Sequence, residues 1–285
     1  MIKRIFIHLG VFCGLGFLFA TSVWMNLSPQ RITPWAELQL RQLLPKTINA
    51  KVQAVTPTMG GMLITQVDIF DKKNNEEIIR INELDVSFNV FRMLLNLGIP
   101  FSVKLYYGKV DGVVKFFPLR TDFKLSEIQP NYHKTLRKTN IIQSNPILTG
   151  SGTISLSREL EGQANFQLDE LVLSGKNKDI KLGIELPNTT FKRITSSAQL
   201  KKERLSVKLE MSGNIAGRLE GSIQLDQKQP ERSRLDMNFS GHMEKEYKNH
   251  LSYSLKQLIQ LYSHSNGQIK IKIKGLLKSP EVQKI

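Results

Sequence analysis

Residues 204–225 read RLSVKLEMSGNIAGRLEGSIQL. Leu205, Val207, Leu209 and Met211 fall on alternate positions, and beyond Ser212-Gly213-Asn214 the alternation resumes with Leu219, Ile223 and Leu225. Ser, Lys, Glu, Arg and Gln take most of the intervening places. Successive side chains of a strand point to opposite faces, so this pattern predicts two strands joined by a turn, each with one apolar and one wet face.

The same alternation extends in both directions, from Ile147 to Met243. On one parity stand Ile154 and Leu156; Ala164, Phe166 and Leu168; Ile180, Leu182, Ile184 and Leu186; and, after the quoted stretch, Leu235, Met237 and Phe239. Turn signals such as Gly150-Ser151-Gly152, Ser174-Gly175-Lys176-Asn177 and Lys202-Glu203-Arg204 separate the runs. The fold class expected is mainly β, an antiparallel meander forming a curved or rolled sheet with a few short helices. Its candidate binding surface is the apolar face made by Ile154, Leu156, Phe166, Leu168, Leu205, Val207, Leu209, Leu219, Ile223, Leu225, Leu235, Met237 and Phe239.

The N-terminus has another character. Ile5 to Leu27 contains no Asp, Glu, Lys or Arg, and its bulk is apolar: Ile5, Phe6, Val11, Phe12, Leu15, Phe17, Leu18, Phe19, Val23 and Trp24. A helix of that length, at ~1.5 Å per residue, spans the ~30 Å hydrocarbon core of a bilayer. Lys3 and Arg4 precede it, which keeps the N-terminus cytoplasmic and sends the remainder across. The competing reading is a cleaved signal peptide, with Ala20 and Ser22 as the candidate small-residue pair.

After this anchor, Thr33-Pro34 suggests a helix N-cap with proline at the first helical position and Glu37 in the first turn. Trp35, Leu38, Leu43 and Leu44 form its apolar stripe, and the helix either lies on the bilayer or caps the end of the sheet. Strands follow at 52–55, 62–70 and 79–88, the second and third with a change of parity that suggests bulges. Val90 to Leu97 has helical spacing, and 101–107 with 110–117 reads as a hairpin about Gly108-Lys109. Polar residues 122–146, with His133, Lys134, Arg137 and Lys138 in a short helix, read as a connector. Past the meander, Glu244 to Ser263 has helical spacing, and Gln268 to Lys274 forms a last strand alternating Ile with Lys, suited to a sheet edge. The expected organisation is therefore 1–30 cytoplasmic stub and anchor, 31–121 an α+β subdomain, 122–146 connector, and 147–285 meander with a closing helix and strand.

The formal charge is +15 and the pI near 9.8. The excess reads either as solubility or as work beside an anionic surface. Since the cations are dispersed along the strands without a helix-turn-helix, zinc-finger or RNP pattern, no nucleic acid is expected and lipid headgroups are the better anionic partner. Cys13 is the single cysteine, which excludes an intrachain disulfide and a thiolate cluster. The five histidines never pair at metal-ligand spacing, and no G-x-S-x-G, P-loop or HExxH occurs. No catalytic residue, cofactor or metal is expected, and the chain reads as a non-enzyme.

The order of elements resembles known proteins. Lys51 to Phe70 with its turn Gly60-Gly61, then Leu84 to Leu97, resembles the start of AsmA-like periplasmic proteins. Leu148-Thr149-Gly150-Ser151-Gly152-Thr153-Ile154-Ser155-Leu156, Leu160-Glu161-Gly162, Leu171-Val172-Leu173-Ser174-Gly175 and Gly217-Arg218-Leu219-Glu220-Gly221-Ser222-Ile223-Gln224-Leu225 resemble the type II secretion system protein N (general secretion pathway protein N) family. So do Ser233 to Phe239 and the closing helix with Gly267 to Gly275. The resemblance implies a single-pass protein of the bacterial inner membrane with its bulk in the periplasm. It would be a protein-transport component acting through contacts with other secretion-system proteins, with no cofactor. The kinship with AsmA-like proteins implies the alternative, a lipid-binding or lipid-transfer module that holds phospholipid on the apolar face of a curved sheet. A two-layer sandwich would bury that face, whereas a groove would leave it to lipid.

Overall fold

The computed structural model describes residues 28–58, 60–87, 97–156, 160–175, 187–226, 229 and 232–285. The expected anchor, most of the Val90 to Leu97 helix and the alternating run Ile180 to Leu186 lie outside the described residues. Among those described, no helix is long and apolar enough to cross a membrane. The fold is mainly β, with antiparallel strands that, within each compact unit, pair with their neighbours in sequence. Two compact units divide between Leu105 and Tyr106, earlier than the border drawn at Asp122 from composition.

The first unit holds α1 (Pro29–Leu43), β1 (Ile48–Thr58), β2 (Gly61–Asp71), β3 (Glu77–Ser87) and β4 (Gly98–Leu105). Both expected parity changes occur here. Gln66 adopts φ 47°, and Gln53, Gln66 and Asn82 are passed over together across three strands with the register unchanged on either side (Thr65↔Glu83, then Val67↔Ile81); the register shift between β2 and β3 lies further on, between Ile69 and Phe70. Met62 and Ile64 thereby share a face with Val67 and Ile69.

Helix α1 starts earlier than Thr33, with Ser28 at its N-cap, and accepts Pro34 in its interior. What holds it there is the open edge of β1. Thr33 Oγ1 accepts from the Val55 N–H (2.9 Å), Glu37 Oε2 from the Val52 N–H (3.0 Å), and Arg41 Nε donates to the Ala50 carbonyl (3.0 Å). These three residues recur every four positions and so share one helix face. They satisfy backbone groups that an edge strand otherwise leaves bare. Beside them Ile32, Ala36 and Leu40 pack on Val52, Val55 and Val67. The helix caps the sheet edge, while Trp35 (57% exposed) and Leu38 (53%) face away from it.

Among the described residues the second unit is a ten-strand meander. Its strands are β5 (Gly108–Lys115), β6 (Arg120–Ile128), β7 (Ile147–Leu156), β8 (Leu160–Leu173), β9 (Thr189–Lys201), β10 (Arg204–Gly213), β11 (Ile215–Gln224), β12 (Arg234–Met243), β13 (Ile269–Leu276) and β14 (Ser279–Lys284). The polar stretch after Asp122 is not all connector: β6 pairs with both β5 and β7, and beyond the short helix α2 (Lys134–Thr139) Ile142 makes an antiparallel bridge to Leu173 at the end of β8. Thr121, Phe123 and Leu125 carry the alternation that its polar neighbours obscure. The turn expected at Gly108-Lys109 falls instead at Tyr106 and Tyr107, both with positive φ (47° and 62°). Gly108 is needed nearby for another reason, since a Cβ there would come within 2.5 Å of the Ile128 backbone.

The closing helix is two helices, α3 (Lys245–Asn249) and α4 (Tyr253–Tyr262), because Ser252 turns the chain out and caps α4 through the Leu255 N–H. Strand β13 is not the last strand. Its partner β14, exposed throughout, takes the edge, and Lys272 on β13 instead pairs with Asp236 of β12 at 3.1 Å.

Candidate functional site

The register of the second unit aligns its apolar positions into rows that run across the strands. One row is Val114, Thr121, Ile154, Gly162, Leu200, Leu205, Ile223, Leu235. The next is Gly112, Phe123, Gly152, Ala164, Ala198, Val207, Gly221, Met237, Ile273. A third is Val110, Leu125, Gly150, Phe166, Ser196, Leu209, Leu219, Phe239, Ile271. A fourth begins Ile128, Leu148, Leu168, Ile194, Met211. Eleven of the candidate residues read from the sequence stand in these rows. Leu225 lies one position past β11, its N–H bonded to the Glu203 carbonyl at 2.7 Å. Leu156 pairs with Leu160, and its side chain lies outside the described residues.

The middle row is rich in small residues, Gly112, Gly152, Ala164, Ala198 and Gly221, and aromatic rings lie over glycines of this row and the next. A Cβ on Gly152 would come within 2.6 Å of the Phe123 ring, and one on Gly150 within 2.6 Å of the Phe166 ring, so these phenylalanines rest directly on backbone. Covering of this face is uneven. At one end of the strands Ile128, Leu171, Phe191 and Ile269 are buried, and Tyr247, Leu251 and Leu255 of the C-terminal helical segment pack on Ile215 and Met243. Tyr247 is fixed by a 2.6 Å hydrogen bond to Thr189 Oγ1. Away from that end Val207, Leu209, Leu219, Ile223, Leu235 and Phe239 are only half-buried. Met237 is the buried exception, at 6% exposure. Ile154, at the opposite end, is 40% exposed.

The other face is wet and its acids are neutralised in place. Lys208 holds Glu210 at 2.8 Å, Arg218 holds Glu220 at 2.6 Å, Arg193 holds Asp169 at 2.9 Å and Lys115 holds Asp122 at 2.8 Å. The hydrogen bond from Lys115, with Arg120 adding to it, holds the Asp122 carboxyl below its ordinary range. Gln167 and then Arg193 do the same for Asp169, and Lys208 for Glu210. Carboxylates kept ionised in this way act as counter-ions and not as proton donors near neutral pH. Asn165, Ser197, Lys208, Glu220 and Asn238 line a shallow hollow of about 620 Å3 on this wet side.

Strand β9 was not legible in the sequence. Its apolar positions, Phe191, Ile194, Ala198 and Leu200, are broken by a parity change and by Ser196-Ser197, which leaves no clean run. The signal that could have found it is positional, because Leu205 and Val207 require partners of the same parity on a preceding strand. Comparison with protein-family models, with curated proteins and with solved structures returns no match.

Proposed function

We propose that this protein is a non-enzymatic lipid-binding module of the bacterial cell envelope, anchored by residues 5–27 with its bulk in the periplasm. Acyl chains would lie against the apolar rows of the second unit. The observation that supports this reading is the partial exposure of Val207, Leu209, Leu219, Ile223, Leu235 and Phe239 in adjoining rows. A contiguous apolar surface larger than a few hundred Å2 is rarely left to water and ordinarily marks a binding site. Hydrocarbon suits it, since the surface has no fixed polar pattern to select a more specific ligand. A sheet curved about this face would improve the fit.

A second reading is a structural part of a type II secretion system that works by protein–protein contacts. It is favoured by the exposed edge of β14, which suits addition of a partner's strand, and by the sequence resemblance. The two readings are separated by photocrosslinking the full chain in phospholipid that carries a photoactivatable group on the acyl chain. Crosslinks at Val207, Leu209 or Ile223 are expected. Crosslinks confined to residues 5–27 would overturn the lipid reading and leave the secretion scaffold, to be pursued with a photoreactive residue at Gln283.

A further inference from the structure

Between β5 and β6 the chain turns through Phe116-Phe117-Pro118-Leu119, and its apolar side chains stand in water. Phe116 is 41% exposed, Phe117 88% and Leu119 43%. Tight turns ordinarily carry Gly, Asn, Asp or Ser, which suit both the backbone and the solvent; two phenylalanines and a leucine suit neither. Taking one such ring out of water favours the transferred state by roughly 10- to 150-fold. Directly behind the tip, Lys115 and Arg120 both reach Asp122, at 2.8 and 2.9 Å, so two cations share one carboxylate. The tip stands at the end of the sheet opposite the helical cover. Val114 pairs with Thr121 and Thr121 with Ile154, so the first apolar row begins at the base of the tip.

We infer that this tip inserts into the surface of a phospholipid bilayer and is the point where acyl chains pass between the bilayer and the apolar face. A protruding apolar turn backed by net positive charge matches a lipid surface in both respects. The rings settle at the boundary of headgroups and acyl chains, and the cations meet anionic headgroups. A protein partner would instead need a deep pocket for Phe117 and acidic groups around it. Insertion stands on the tip alone; passage of acyl chains rests on the lipid reading of the face.

The test uses the full chain with Trp24→Phe, Trp35→Phe and Phe117→Trp, which leaves a single tryptophan at the tip. It is reconstituted in nanodiscs of phosphatidylethanolamine and phosphatidylglycerol, with dibrominated lipid placed either in the disc or in added vesicles. Insertion predicts blue-shifted emission that loses roughly half its intensity in one of the two arms, because a ring ~5–10 Å into the interface meets the bromines. The quenched arm identifies which bilayer the tip enters. Emission unquenched in both arms, whether in water or in a protein pocket, overturns the inference. Passage is read separately with Phe117→Asp in the otherwise native chain, which should slow acyl-chain crosslinking to Leu209 about tenfold or more. Unchanged loading by that variant overturns the port while the lipid reading stands. Tip quenching in a chain that never crosslinks lipid at Leu209 overturns the lipid reading while insertion stands.

Discussion

Replacing Val207 with aspartate separates an open apolar face from a sealed core. Val207 lies in the middle row between Ala198 and Gly221 and is half-buried. Full burial of a valine is worth about 1.5–3 kcal/mol, so losing the larger part of it costs about 1–2 kcal/mol. The new carboxylate keeps much of its hydration, and the poorer strand propensity of aspartate adds up to about 1 kcal/mol. Val207→Asp should therefore lower unfolding free energy by about 1–3 kcal/mol. With an acyl chain laid over the row, the same carboxylate would be buried without a partner at a cost of several kcal/mol, or a hundredfold or more in affinity. Val55→Asp is the contrasting control, because Val55 is 1% exposed beneath α1 and should unfold the first unit. The assay is urea denaturation followed by circular dichroism on delipidated protein, paired with acyl-chain crosslinking. A loss above about 3 kcal/mol for Val207→Asp would mean that the face is a sealed core, and undiminished crosslinking would mean that lipid does not lie there. Either result refutes the reasoning.

Other consequences concern what holds each unit together internally. Thr33→Val removes the acceptor of the Val55 N–H and should cost about 1–3 kcal/mol, visible as faster hydrogen exchange at the Val55 amide; unchanged protection would mean that α1 does not clip the β1 edge. Tyr247→Phe deprives the buried Thr189 hydroxyl of its 2.6 Å partner and should cost about 1–2 kcal/mol in urea denaturation, without altering strand content. Asp122 titrates below its ordinary value of 3.8, held by Lys115 first and by Arg120. A depressed acid stabilises the fold at pH values above its unfolded pKa and loses that contribution as pH falls through its folded pKa. Asp122→Asn should therefore lower stability at pH 7 and flatten the decline below about pH 4, and an unchanged pH profile would show that the Lys115 contact is not maintained in solution.

The first-order architecture was legible because the pleat is a local property. Leu205, Val207, Leu209 and Met211 alternate whatever their neighbours do; the change of parity between Ile64 and Val67 is local too, but it reflects the positive φ of Gln66 and not the expected bulge, since the register is the same on both sides of it. The apolar residue set of the candidate face followed from that periodicity alone. Local pattern could not supply the rest. Strand β9 hides its alternation behind Ser196-Ser197, β6 sits in a polar stretch, and β14 looks like a tail until β13 offers it an edge. Thr33, Glu37 and Arg41 read as an ordinary polar helix face, yet their partners are backbone groups of β1 that only the docked structure brings within 3.0 Å. Whether a greasy face is covered is likewise a property of packing: the same alternating sequence serves a sandwich core or an open sheet. Periodicity determines which residues share a side, and only the tertiary structure decided that helices cover one end while Val207, Leu209 and Ile223 remain partly exposed.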